Sequence, residues 1–196
     1  MQKKLLQKLE IAGPFIVFTT ASLLHYIYDL SPNVLTSLFG AVNESIWEHI
    51  KIFTIAYLLY GFIEFLWAKP SLKRFAVVKT IGALAQGVFI PLAYYTYTLF
   101  TKKPVLIVDL IIGFLAAVLG FLVSYRLYKS NINIEKYFLT SLMLLFLILM
   151  SLLCFTYFPP EAELFRDVIT GEYGIAANAL DVGAFKLNAL KNIDVL

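Results

Sequence analysis

Charged side chains are scarce in this sequence: only 15% of its 196 residues are Asp, Glu, Lys or Arg, whereas 60% are hydrophobic. Cysteine is nearly absent, and the single Cys154 excludes an internal disulfide and any cysteine-based metal motif. Internal repeats and low-complexity tracts are missing too. The first apolar run lacks an Ala-x-Ala-type cleavage site and carries His25 and Asp29. We therefore expect a retained first span rather than a cleaved signal peptide.

The net charge of +3 and the isoelectric point near 8.8 do not indicate a nucleic-acid partner. The basic residues lie beside apolar stretches, which is typical of membrane topology rather than of a phosphate-binding face. A mean hydropathy of +0.80 is typical of integral membrane proteins. We expect a multi-pass protein of the cell membrane whose main partner is the lipid bilayer, with a membrane protein as a candidate second partner.

The apolar pattern predicts an all-α integral membrane protein, a bundle of five transmembrane helices. Each span approaches the roughly 20 residues needed to cross the hydrocarbon core. Residues 1–10 are expected to form a short amphipathic helix, and the apolar residues 31–42 are too few to cross. The predicted domains are the bundle, residues 1–158, and an external C-terminal segment, residues 159–196. The spans are expected at about residues 12–30, 45–68, 75–100, 105–128 and 137–158.

The distribution of Lys and Arg predicts the orientation, because such residues are enriched in cytoplasmic connections. Ten lie on the N-terminal side of the predicted membrane and three on the other. The N-terminus is therefore expected inside and the C-terminus outside. The ten are Lys3, Lys4, Lys8, Lys69, Lys73, Arg74, Lys79, Arg126, Lys129 and Lys136, and the three are Lys102, Lys103 and Arg166.

The most unusual stretch is residues 43–49, which hold two carboxylates, one of two histidines and one of two tryptophans. Ionisable groups at membrane depth usually line a cavity, a metal site or a polar path. Oxygen and imidazole ligands suit zinc, manganese or iron. The candidate divalent-metal ligands are His25, Glu44, Glu48 and His49, and the further polar residues expected nearby are Asp29, Asn43, Asp109 and Arg166.

The sharpest expectation is one connected site formed by Glu48, His49 and His25 near the outer leaflet. The short connection between the first two spans favours antiparallel neighbours, so the two histidines lie at similar depth. Replacing Glu48 with Gln is then expected to abolish activity, and Glu44→Gln to do less. The simpler interpretation is that Asn43 caps the helix, Glu44 complements the helix dipole and Lys51 neutralises Glu48.

Other polar residues have their own alternatives. His25 and Asp29, spaced i, i+4 with Ser22 on the same face, suggest a catalytic triad, but no oxyanion-hole segment is visible. A hydrogen bond from His25 to a carboxylate of the second span is the simpler expectation. Glu64 is expected to snorkel to the interface or to pair with Arg126.

Residues 159–174 are expected to fold back over the helix ends as a lid. The Pro159-Pro160 pair, the apolar Leu164 and Phe165 and the turn residues Thr170-Gly171 favour a docked loop. Arg166 is the expected partner for Glu44. Residues 176–196 are polar enough for either a short helix or a disordered tail.

Four motifs resemble those of a group of small multi-pass prokaryotic membrane proteins defined only as a domain of unknown function. The resemblance covers about residues 11–175 and implies a multi-pass membrane fold, but no activity. The motifs are Asn43-Glu44-Ser45-x-Trp47-Glu48-His49-x-Lys51, Tyr157-Phe158-Pro159-Pro160, Leu164-Phe165-Arg166-Asp167 and Thr170-Gly171-x-Tyr173-Gly174, with His25 preceding them.

Three classes of function remain open from the sequence. The first is a binding or sensing membrane protein with an outward-facing His/carboxylate site, with or without a bound metal. The second is a membrane hydrolase that uses a metal-activated water on an amphiphilic substrate. The third is a small substrate-capturing component of a larger transporter, for which a copurifying ATPase is the distinguishing observation.

Overall fold

The computed structural model describes residues 2–175, and the predictions for residues 176–196 lie outside them. The described chain is all-helical. Its six helices are α1 (Gln2–Leu30), α2 (Val34–Phe39), α3 (Ile46–Ala68), α4 (Leu72–Thr101), α5 (Leu106–Lys129) and α6 (Phe138–Tyr157), with short 3-10 turns at Glu135–Tyr137 and Glu163–Phe165.

Five helices are long and apolar enough to cross a membrane, which confirms the predicted fold class. The segments that meet this criterion are Lys4–Leu30, Ile46–Ala68, Leu72–Thr101, Leu106–Lys129 and Glu135–Tyr157. The orientation of the termini stays a prediction.

The prediction of a separate amphipathic helix at residues 1–10 is wrong. Neither Gly13 nor Pro14 interrupts the backbone, which continues from Gln2 to Leu30 as one helix. Leu6 and Glu10 are buried, which ties the first turns to the rest of the bundle.

The connection between α1 and α3 does not cross the bundle. It contains α2, a helix of six residues that rises only about 9 Å. Asn33 caps this helix by accepting hydrogen bonds from the amides of Leu35 and Thr36. The short connection holds α1 and α3 as antiparallel neighbours, as predicted.

Cross-helix contacts show that long helices consecutive along the chain run antiparallel, whereas α4 and α6, which contact each other near their N-termini through Thr80 and Ser141, run parallel. At one end, called the histidine end, His25 of α1 meets His49 of α3, and Tyr97 of α4 meets Asp109 of α5. At the opposite end, called the lysine end, Lys79 of α4 lies between α1 and α3. The histidine end therefore collects the C-termini of α1, α4 and α6 and the N-termini of α3 and α5.

Small residues, among them Gly113, Ala117 and Gly120, let α5 approach its neighbours closely. A Cβ built on Gly113 would lie 2.5 Å from the Phe53 ring, and one on Gly82 of α4 would lie 2.7 Å from the Gly120 carbonyl oxygen. These contacts hold α3, α4 and α5 at a separation that larger side chains would increase.

Candidate functional site

Three ligand-type side chains meet at the histidine end. His25 lies in the last turns of α1, Glu44 precedes α3, and His49 lies in the first turn of α3. The two imidazole Nε2 atoms are 3.3 Å apart. Glu44 Oε2 lies 3.4 Å from His25 Nε2 and 3.8 Å from His49 Nε2. We call this group the His/Glu cluster.

The start of α3 fixes the orientation of His49. Ser45, not Asn43, is the N-cap residue, because its hydroxyl accepts the hydrogen bond from the Glu48 amide. The Ser45 carbonyl lies 2.8 Å from His49 Nδ1, and a carbonyl can only accept. Nδ1 therefore carries the proton, and the lone pair of Nε2 points into the cluster, as in many metal-bound histidines.

Glu44 is held in place from the other side by the lid. Its backbone amide donates to the Asp167 carboxylate at 3.2 Å. The hydrogen bond with His25 lowers the pKa of the Glu44 carboxyl below its ordinary value, more than its partial burial raises it. Glu44 is therefore an anion at neutral pH, next to a histidine lone pair.

A cavity of about 400 Å³ opens beside the cluster between α1, α3, α4 and α5. Its walls are mainly apolar, and we call it the apolar cavity. All three members of the His/Glu cluster line it, as does Asp109. Its other lining residues include Phe18, Ala21, Ile46, Ile52, Phe53, Ile90, Leu106, Leu110 and Ile112.

A second cavity of about 300 Å³ lies between the cluster and the lid. His25 and Glu44 line both cavities, so they form part of the wall between them. The second is called the acidic cavity, because its charged lining residues, histidine aside, are Asp29, Glu44, Asp167 and Glu172.

Glu48 is not part of the His/Glu cluster. The prediction of a single site formed by Glu48, His49 and His25 is therefore wrong for Glu48. Its carboxylate is 2% exposed and forms an ion pair with Lys51 Nζ at 2.5 Å. The Thr156 hydroxyl and the Val42 amide donate to its two oxygens, each at 3.0 Å. The expected neutralisation of Glu48 by Lys51 is present, and Glu44 takes the place beside the histidines.

The other predicted polar residues lie around the cluster. Asp109 accepts a 2.5 Å hydrogen bond from the Tyr97 hydroxyl and faces the apolar cavity. Asp29 is exposed and lines the acidic cavity. The Asn43 side chain, instead of capping α3, accepts from the Ser45 amide and donates to the Gly174 carbonyl.

The lid docks on the histidine end, but not through Arg166. The Arg166 guanidinium contacts Glu163 at 3.3 Å and the Gly171 carbonyl at 3.2 Å, so the expected pair with Glu44 is wrong. The contact with the cluster comes from Asp167, which the sequence reasoning missed. The available signal was the turn pattern after it, since Asp side chains accept from backbone amides two and three residues on.

Asp167 organises the lid from a buried position. Burial raises the pKa of its carboxyl, but hydrogen bonds from the amides of Thr170, Ile169 and Glu44 outweigh burial and lower the pKa below its ordinary value. Phe165 packs on Trp47, with ring centroids 4.9 Å apart. The lid is thus held both by an apolar contact and by an anion that contacts the Glu44 backbone.

Two further interpretations are wrong. Ser22 donates to the Phe18 carbonyl of its own helix, and His25 Nδ1 meets no hydrogen-bond partner among residues 2–175, so no Ser-His-Asp triad forms. Glu64 neither snorkels nor pairs with Arg126. It is fully buried and pairs with Lys79.

A family model matches residues 1–175, and its description is a family of unknown function, DUF6512. The chain belongs to the DUF6512 family. The match contains the whole His/Glu cluster, both cavities and the lid of this DUF6512 protein. No curated protein and no solved structure matches the chain.

Proposed function

We propose that this DUF6512 protein binds one divalent transition-metal ion through His25 Nε2, Glu44 Oε2 and His49 Nε2. One observation carries the proposal: the three ligand atoms lie within 4.8 Å of one another. Two imidazoles and one carboxylate are a ligand set that zinc accepts, and manganese or iron are the alternatives.

The separations between the ligand atoms support a tetrahedral metal. Zinc–nitrogen and zinc–oxygen bonds of about 2.0–2.1 Å, at tetrahedral angles, put neighbouring ligand atoms roughly 3.3 Å apart. The observed separations are 3.3, 3.4 and 3.8 Å. An ion at the centre would need only small side-chain adjustments, and the backbone contacts of His49 and Glu44 already supply outer support.

Metal binding is tested by comparing two glutamate variants. Loss of an outer partner commonly costs ~10–100-fold in metal affinity, so loss of a direct ligand in Glu44→Gln should exceed about 100-fold. Glu48→Gln is the matched control, because the Glu48 carboxylate pairs with Lys51 instead of joining the His/Glu cluster, so the variant should leave the affinity unchanged.

The measurement is elemental analysis of the purified protein, followed by calorimetric titration of the chelator-treated protein with Zn²⁺. One metal per chain is expected. Equal affinity of wild type and Glu44→Gln, or equal losses in both glutamate variants, would contradict the proposal.

A second candidate function is the metal-dependent hydrolysis of an amphiphile, and the apolar cavity is the observation that favours it. Catalytic zinc sites have three protein ligands and keep one position open for water, and the cluster offers three. An apolar chain in the apolar cavity would bring an adjoining ester or amide bond next to that open position. A metal ion there would lower the pKa of the bound water and so supply the nucleophile.

The hydrolase is tested with ester and amide substrates that carry alkyl chains of increasing length. Chelator-sensitive turnover that rises with chain length and disappears in His49→Ala is expected. A protein that binds the metal but turns over none of these substrates would be a binding protein only. On the orientation predicted from the Lys and Arg bias, the site would face the outside of the cell.

A further inference from the structure

A second buried charged group lies at the lysine end. Lys79 Nζ contacts Glu64 Oε2 at 2.5 Å and Glu10 Oε1 at 3.1 Å. The three residues come from α4, α3 and α1, and each side chain is at most 6% exposed. Each lies one to two turns inside its helix, within the stretch long and apolar enough to cross a membrane. We call these three residues the Lys79 triad.

The surroundings of the triad are apolar or neutral. Rings of Phe121, Tyr57 and Phe75 have centroids 4.5, 5.0 and 5.4 Å from Lys79 Nζ. The Ser124 hydroxyl of α5 donates to Glu10 Oε2 at 2.9 Å. The Tyr60 hydroxyl is already used, because it donates to the Leu9 carbonyl.

Glu64 lacks the hydrogen bonds that a buried carboxylate needs. Within residues 2–175, its Oε1 has no hydrogen-bond partner, and its Oε2 contacts the Lys79 ammonium alone. One ammonium therefore faces two buried carboxylates. If both were ionised, the triad would carry one uncompensated negative charge in a low-dielectric interior, which is strongly unfavourable.

We propose that Glu10 and Glu64, the two carboxyl groups in contact with Lys79, together bind one exchangeable proton. The protonated carboxyl then acts as a hydrogen-bond donor, the other carboxylate pairs with the ammonium, and the triad is neutral. Two carboxyl groups that share a site cannot both ionise readily, so one proton is retained between them. Buried carboxyl groups in membrane spans commonly serve as proton-binding steps.

The pair of Glu48 and Lys51 supplies an internal contrast. There, one carboxylate faces one ammonium at 2.5 Å, and two further donors satisfy the carboxylate. The charges balance without a proton. Both groups are buried glutamate–lysine contacts, within α3 for Glu48 and Lys51 and between helices for the Lys79 triad, and they differ in the number of carboxylates.

The test is infrared spectroscopy of the purified protein in H₂O and D₂O, which detects the C=O stretch of a protonated carboxylic acid. The wild type should show one such band from the triad. Glu10→Gln and Glu64→Gln should each remove the whole band, because the remaining carboxylate then pairs alone with Lys79 and stays ionised. Glu48→Gln is the matched control and should keep the band.

Circular dichroism establishes that each variant keeps its helices. The proposal is overturned if neither Gln variant loses the band, or if Glu48→Gln loses it as well. Raising the pH of the wild type should remove the same band that the two triad variants lack. A band insensitive both to pH and to the triad variants would show that the carboxyls bind no exchangeable proton. The metal proposal does not enter this test.

Discussion

Removing the ammonium from the buried pair at the histidine end should strongly destabilise the protein. Lys51 is fully buried and contacts the Glu48 carboxylate at 2.5 Å. It also donates to the Ser37 carbonyl and the Thr156 hydroxyl, each at 2.9 Å. Lys51→Met would leave the carboxylate buried without a counter-charge, and removal of one partner from a buried ion pair costs about 3–5 kcal/mol.

A double variant separates the charge effect from the loss of packing. Glu48→Gln together with Lys51→Met leaves no buried charge, and the Gln side chain can still accept from Thr156. We expect the double variant to recover much of the loss, with about 1 kcal/mol remaining for each of the lost hydrogen bonds to Ser37 and from the Val42 amide. The Glu48–Lys51 ion pair would then contribute to the specific arrangement of the helices more than to the free energy of unfolding.

The assay is thermal unfolding in detergent, followed by circular dichroism. For a chain of 196 residues, 1 kcal/mol corresponds to roughly 2–4 °C in Tm, so Lys51→Met should lower Tm by roughly 6–20 °C. A Lys51→Met protein within 1 °C of wild type would refute the reasoning. So would a double variant as unstable as the single one, since the loss would then not come from the unpaired charge.

Three further predictions concern packing, the lid and topology. Gly82→Ala should cost about 1–3 kcal/mol in thermal unfolding because its Cβ meets the α5 backbone, whereas Gly87→Ala, whose Cβ makes an ordinary contact at 3.6 Å, should cost nothing. Glu44 and Asp167 have lowered pKa values, so their contribution to lid docking is complete above pH 4.5 and lost as pH falls further. Backbone hydrogen exchange of the lid should therefore increase below pH 4.5. Exchange that does not change with acidification would disprove the link between these carboxylates and lid docking. A cysteine at Asn33 should react with impermeant reagents from outside, and labelling from the cytoplasm would reverse the predicted orientation.

The sequence by itself determined the membrane fold. Span number follows from the length and hydropathy of the apolar runs, which are local properties and need no tertiary contact. The short connection of residues 31–42 also made α1 and α3 neighbours, and this brought His25 and His49 to the same depth. The meeting of the two histidines was therefore predictable.

The choice between Glu44 and Glu48 needed the tertiary structure. On an ideal helix, these two residues share one face, so a helical projection cannot separate them. The helix starts only after Ser45, and Glu44 lies in the preceding connection, where the periodicity does not apply. The lid then fixes its backbone through Asp167, a contact between residues more than one hundred positions apart.

The Lys79 triad was also decided only by the fold. From the sequence, Lys79 counts as one of the positive charges at a span end, and Glu64 as a carboxylate that reaches the interface. Glu10, Glu64 and Lys79 come from three helices, and no local pattern relates their positions. Packing of α1, α3 and α4 places a carboxylate oxygen of Glu10 and one of Glu64 within 3.1 Å of Lys79 Nζ. The three residues are brought together because a charge buried at this depth is tolerated only beside an opposite charge.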